Sequence, residues 1–238
     1  MDKNDIPGIY NYCDRWCERC TFTSRCLTYK FGKIMDENLD DKIELNQLFW
    51  KFFDKNLDNT LDLFEESEYE EESYNFDEDE SYTGDDFEIK RLIAESHDAA
   101  QLAKEYINIV SNWFKQNETE LIAFSNIEEK SILKISDAIE VIHWYHIFIY
   151  PKIMRALQGK DDDLLEDEFP LDSDGSAKIT LIAIDRSISA WGYIFMQTDD
   201  KNENIFNIIK LLVTLQQLVE DNFPNSRNFI RPGFDENN

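Results

Sequence analysis

Four apolar stripes between residues 87 and 222 constrain this chain more than any other feature. The first, over about 87–116, carries Leu92, Ala99, Ala103, Tyr106, Val110 and Trp113. The second, over about 127–158, carries Ile132, Ile135, Ile139, Ile142, Ile149 and Ile153. The third, over about 174–197, carries Leu181, Ile184, Ile188, Trp191 and Phe195, and the fourth, over about 203–222, Ile205, Ile208, Leu212, Leu215 and Val219. Apolar residues three and four apart fall on one side of an α-helix, because its turn is about 3.6 residues. With only seven Gly and five Pro in 238 residues, the chain lacks the punctuation of many-stranded β structure. The expected fold is all-α, a mostly antiparallel four-helix bundle over 87–223.

Helix ends follow from capping chemistry. Ser173, Asp174 and Ser176 offer N-caps for the third helix, and Asp199 or Asn202 for the fourth. Gly159 suits the C-terminus of the second helix, and Pro224 stops the fourth. Pro151 falls within the second stripe and is expected to kink or break it.

Charge divides the chain further. The net charge is −26, yet residues 1–33 hold six Lys/Arg against four Asp/Glu. From Asn56 to Ile89 there is no Lys or Arg, against fifteen Asp/Glu. The expected order is a Cys-rich head over 1–35, an amphipathic helix over 36–55, an acidic linker over 56–86, the bundle, and a C-terminal tail over 224–238. Ile43, Leu45, Leu48, Phe49, Phe52 and Phe53 give the 36–55 segment its apolar surface. So acidic a surface repels phosphates, which argues against nucleic-acid partners and anionic membranes. The polar start MDKNDIPG is unlike a signal peptide, and the longest apolar run, Ile179–Met196, contains Asp185 and Arg186. These features point to a soluble, cytoplasmic protein.

All four cysteines lie in "YCDRWCERCTFTSRC": Cys13, Cys17, Cys20 and Cys26, spaced C-x3-C-x2-C-x5-C. In a reducing compartment such clustering points to metal ligation before disulfides. Four thiolates suit a tetrahedral Zn2+ or an iron–sulfur cluster, and the spacing leaves both open. Cys13 and Cys17 share a face if the segment is helical. Arg15, Arg19 and Arg25 are expected to offset the thiolate charge and lower the thiol pKa values. Trp16, Phe22, Tyr10 and Tyr12 are available to shield the site.

Two partial resemblances and one loop template remain. Cys13, Cys17 and Cys20 match the C-x3-C-x2-C of radical SAM enzymes. Arg19 stands where that family usually has an aromatic residue, and strand–helix alternation is missing. In "EVIHWYH", Glu140, His143 and His146 resemble the Glu-x-x-His helices of ferritin-like di-iron bundles, which implies an iron site in the bundle. No second Glu-x-x-His occurs; Glu95, His97, Asp98 and Asp185 are the residues available to complete the set. The alternative is a buried polar network, with His146 facing inward between Ile142 and Ile149, Glu140 paired with Lys134 or Arg186, and Asp185 with Arg155. Finally, Asp54, Asn56, Asp58, Thr60, Asp62 and Glu65 occupy the ligand positions of an EF-hand calcium loop, with Asn59 in place of the usual Gly.

No Walker motif, dinucleotide fingerprint or nucleophile elbow is present in the sequence, and no set of nucleophile, base and oxyanion donors converges in it. The first expectation is a non-enzymatic metal-binding interaction or scaffold protein. Its partner would be a protein, met in part by the acidic linker with its spaced Phe64, Tyr69, Tyr74, Phe76 and Tyr82. The alternatives are an Fe–S or non-haem-iron redox protein and a calcium-responsive module.

Overall fold

The computed structural model describes residues 4–37, 84–117, 130–160, 172–197 and 202–235. The 36–55 segment beyond residue 37, and the acidic stretch up to residue 83, lie outside the described residues. So does the whole calcium-loop candidate, Asp54 to Glu65.

Among the described residues the chain is all-helical, with six α-helices and no strand. They are α1 (Leu27–Glu37), α2 (Gly84–Ser96), α3 (Asp98–Gln116), α4 (Lys130–Gly159), α5 (Asp172–Gln197) and α6 (Glu203–Asn222). Single 3-10 turns occur at Cys17–Arg19, Thr23–Arg25 and Ser226–Asn228. The chain divides into two compact units, residues 82–231 and a cysteine unit of 1–81 with 232–238.

In the helical unit, α5 packs against α4 and α6, and α3 packs against the same two helices. The shorter α2 lies on α3 and α4. Tyr106, Ile142, Tyr145, Ile149, Trp191, Leu212 and Leu215 are completely buried. Each such side chain withdrawn from water contributes about 1.5–3 kcal/mol, so this interior drives its own folding. Trp113 meets Trp191 edge to face, with ring centroids 5.0 Å apart. α5 is long and apolar enough to cross a membrane, but half of that apolar stretch is buried against its neighbours.

The helix boundaries correct several expectations. One helix over 87–116 becomes two, because His97 is extended (φ −69°, ψ 139°) and caps α3. Its Nδ1 accepts from Ala99 N–H at 3.1 Å, leaving Nε2–H to donate to Asn222 Oδ1 at 3.2 Å. An imidazole that bonds its own backbone competes with helix continuation as a capping Asn or Ser does. α4 runs through Pro151 without a break. α5 starts two residues earlier than expected, so Ser173, Asp174 and Ser176 lie buried inside its first turns rather than capping it. The Arg155 guanidinium holds Asp172, the first residue of α5, through two bonds of 3.1 and 2.8 Å. Asn202 caps α6, its Oδ1 accepting from Asn204 and Ile205 N–H.

The expected tail does not behave as one piece. Residues 224–231 stay with the helical unit, where Lys178 donates to the Phe229 carbonyl and Arg227 bridges Asp185 and Glu220. Residues 232–235 belong to the cysteine unit. There Ile6 N–H donates to the Arg25 carbonyl at 3.0 Å, Arg25 Nε donates to the Asn4 carbonyl at 2.8 Å, and Lys30 pairs with the nearly buried Asp5. Among the described residues of this unit, Ile6, Ile9 and Trp16 are buried apolar side chains.

Candidate metal centre

The cysteine segment is a series of tight turns. Asn11 N–H donates to the Gly8 carbonyl at 2.9 Å, with Gly8 at φ +71°. Cys13 follows, and then Arg15 takes φ +59°. A non-glycine residue there crowds its Cβ against the carbonyl, at a cost of about 1–2 kcal/mol. The surroundings hold it: Asp14 Oδ1 accepts from Trp16 N–H at 3.2 Å, and the Arg15 carbonyl accepts from Cys17 N–H at 3.0 Å. The Cys17–Arg19 turn leads to Cys20, and the Thr23–Arg25 turn to Cys26, just before α1. Cys13 and Cys17 therefore do not share a helical face. A left-handed residue and two 3-10 turns do the bending instead.

These turns bring Cys13, Cys17, Cys20 and Cys26 to the lining of one cavity of about 20 Å3. Trp16 and Phe22 line it, as expected, and so do Ile9, Tyr29 and Phe234, which nothing in the sequence signalled. None of the four cysteines is in a disulfide, and all four are partly buried. Cys13 Sγ donates to the Tyr10 carbonyl at 3.6 Å, and Cys20 Sγ accepts from Phe22 N–H at 3.4 Å. The Cys17 pKa is raised, first by burial and then by the charges of Cys13, Cys26 and Cys20.

That direction corrects the expected role of the arginines at Cys17. Arg19 stacks its guanidinium over the Trp16 ring at 4.0 Å, and Arg25 donates to the Asn4 carbonyl. Among the described residues no three His, Cys, Asp or Glu side chains are positioned to hold a metal ion. The shared cavity and the mutual thiol charges nonetheless make the four sulfurs neighbours. Rotation about χ1 moves a sulfur by far more than it moves the backbone, and Cys13 Sγ here satisfies a carbonyl that a metal-bound thiolate would release. A sulfur that accepts a backbone N–H, as Cys20 Sγ does, has the kind of outer-shell support that metal-binding cysteines use.

Glu140 and His143 are exposed, whereas His146 is buried, as its place between Ile142 and Ile149 implied. His146 Nδ1 lies 2.7 Å from the His143 carbonyl, and its ring packs near Phe114. Burial lowers its pKa. Of the four residues available to complete an iron site, three are engaged elsewhere. Glu95 pairs with Arg91, His97 caps α3, and Asp185 pairs with Arg227 rather than Arg155. Arg186 donates to the Tyr145 hydroxyl.

The buried polar contact the sequence concealed lies deeper. Trp191 Nε1–H donates to the Tyr106 hydroxyl at 3.1 Å, between two residues that read as plain apolar stripe. Burial pushes the Tyr106 pKa up to about 12, against the hydrogen bonds to Trp191 and Ser187. A groove of about 570 Å3 between α3 and α6 is lined by Trp113, Asn112, Gln116, Asn204 and Asn207 among others. Glu105 is the one titratable group among its described lining residues, so no acid–base pair faces it.

Comparison of the chain with protein-family models, curated proteins and solved structures gave no match.

Proposed function

We propose that this chain is a cytoplasmic metal-binding protein whose role is interaction or scaffolding rather than catalysis. Cys13, Cys17, Cys20 and Cys26 are its ligands, zinc its metal, and α3, α4, α5 and α6 form a four-helix bundle. One observation carries the reading: four cysteines separated by turns line a single cavity, with their charges felt at Cys17. Neutral thiols gain nothing from such crowding, whereas a bound cation converts thiolate repulsion into ligation. The net charge of −26 supports a protein partner with a basic surface.

Anaerobic purification, followed by elemental analysis and a visible spectrum of the same sample, tests this. About one zinc per chain and no colour is the expected result. Iron with labile sulfide and a broad visible absorbance would replace it with the redox reading. A colourless, metal-free chain would refute metal binding.

A further inference from the structure

We infer that the cysteine cavity is a single-ion site closed by the other end of the chain, the turn Pro232–Asp235. The inference rests on the metal-binding reading and narrows it in two respects: what fits, and what holds the site shut.

Size sets the first limit. A cavity of about 20 Å3 exceeds the roughly 10–15 Å3 that one water-sized sphere needs. That is room for one ion; since no three of the sulfurs are positioned to hold it as they stand, binding requires their side chains to turn inward to about 2.3 Å from it. A four-iron cubane carries its own sulfides between the metals, so it would require the turns around the cavity to move further apart than a single ion does. The ligand class is therefore one soft or borderline divalent ion that accepts a tetrahedral thiolate set, and Zn2+ is the abundant member.

Closure sets the second. Of the described residues around the sulfurs, Phe234 alone comes from outside the first thirty. Its ring meets Phe22 edge to face, with centroids 5.0 Å apart. Phe22 is also the residue whose N–H donates to Cys20 Sγ, so Phe234 braces the segment that steadies one ligand. Gly233 makes the approach possible. It takes φ +74°, and a Cβ there would stand 2.8 Å from Ile6 Cδ1 and 3.2 Å from Ile9 Cδ1. Any side chain at 233 is thus opposed by backbone conformation and by two buried isoleucines together. Ile9 lines the cavity too, so the glycine contact and the phenylalanine wall belong to one packed surface. The consequence is mutual: an ion that draws the sulfurs inward favours the docked turn, and the docked turn excludes the water that would compete for the ion.

The full-length chain tests this through Phe234→Ala, Gly233→Ala and the conservative Phe234→Leu. Zn2+ affinity is read by competition with a chromophoric chelator. Thiol alkylation by iodoacetamide is read on metal-free protein, and helix content by circular dichroism. The expected result is one Zn2+ per wild-type chain, bound about tenfold or more weakly by the Ala variants and restored largely by Phe234→Leu, with helix content unchanged. Alkylation should be several-fold faster in the Ala variants. Unchanged affinity and unchanged alkylation would overturn closure. Uptake of iron and sulfide would overturn the single-ion assignment. A wild-type chain that takes up no Zn2+ would refute the metal reading itself; closure would then stand or fall on alkylation alone.

Discussion

The helical unit and the cysteine unit reach order by different physics. In the first, α3, α4, α5 and α6 contribute completely buried Tyr106, Ile142, Trp191 and Leu212 to one interior. Apolar burial on that scale outweighs the entropy of ordering the chain without covalent or metal cross-links. Among the described residues of the cysteine unit, the buried apolar ones are Ile6, Ile9 and Trp16, set among 3-10 turns with one left-handed non-glycine residue. Short segments of this kind ordinarily require a staple. On the proposed metal-binding reading, four thiols at one cavity would supply the cross-link that the helical unit does without.

The largest effect should come from removing the staple. Cys17→Ser, or strong chelation of the wild type, should release the metal and unfold the cysteine unit, since structural zinc couples roughly 10–16 kcal/mol of binding to folding in small domains. Helix content measured by circular dichroism should hardly change. Collapse of the helical signal in that variant would break the contrast between the units.

Trp191→Ala should do the converse. Opening the centre of the helical interior should cost about 3–5 kcal/mol in denaturant unfolding, with zinc stoichiometry intact. Loss of zinc in this variant would show that the two units fold as one. Tyr106→Phe is a finer cut at the same place. It leaves the buried Trp191 indole N–H without its acceptor and should cost about 1–3 kcal/mol, although it removes one atom and no apolar surface. A neutral result would mean that the indole finds another partner.

The two smallest effects sharpen the comparison. Arg15→Gly should stabilise the metal-bound cysteine unit by about 0.5–1 kcal/mol, as glycine adopts the left-handed backbone without the Cβ clash. A loss of stability would assign the Arg15 side chain a contact of its own. In the helical unit, burial lowers the His146 pKa, so the unfolded chain binds its proton more readily. The stability His146 contributes is complete above its unfolded value of about 6.5 and declines as pH falls through that value toward the folded one. Unfolding midpoints between pH 7.5 and 5 should fall for the wild type and fall less for His146→Gln.

Much of the helical unit was legible because its signal is local and repeated. Ile205, Ile208, Leu212, Leu215 and Val219 are all buried along α6, as their spacing implied. The break at His97 was not legible, since the cap depends on an imidazole whose second nitrogen finds Asn222, 125 residues away. The ion-pair partners were misread for the same reason: Asp185 had several cations within sequence reach, and Arg227 reached it only through the turn after α6. At the candidate site the clustering of the four cysteines could be read from spacing alone. The means of assembling it could not, because helical periodicity was assumed where the backbone turns through Arg15.

The sequence by itself determined the all-α class, the buried stripes and the confinement of every cysteine to one short segment. Periodicity and composition are written residue by residue, so they survive without knowledge of neighbours. Only the tertiary structure decided that Tyr106 and Trp191 share a buried hydrogen bond, that Gly233 lies tight against Ile6 and Ile9, and that Phe234 lines a cavity with cysteines more than two hundred residues earlier. Contacts at that separation are chosen by shape and by the space left between packed side chains, which no local pattern encodes.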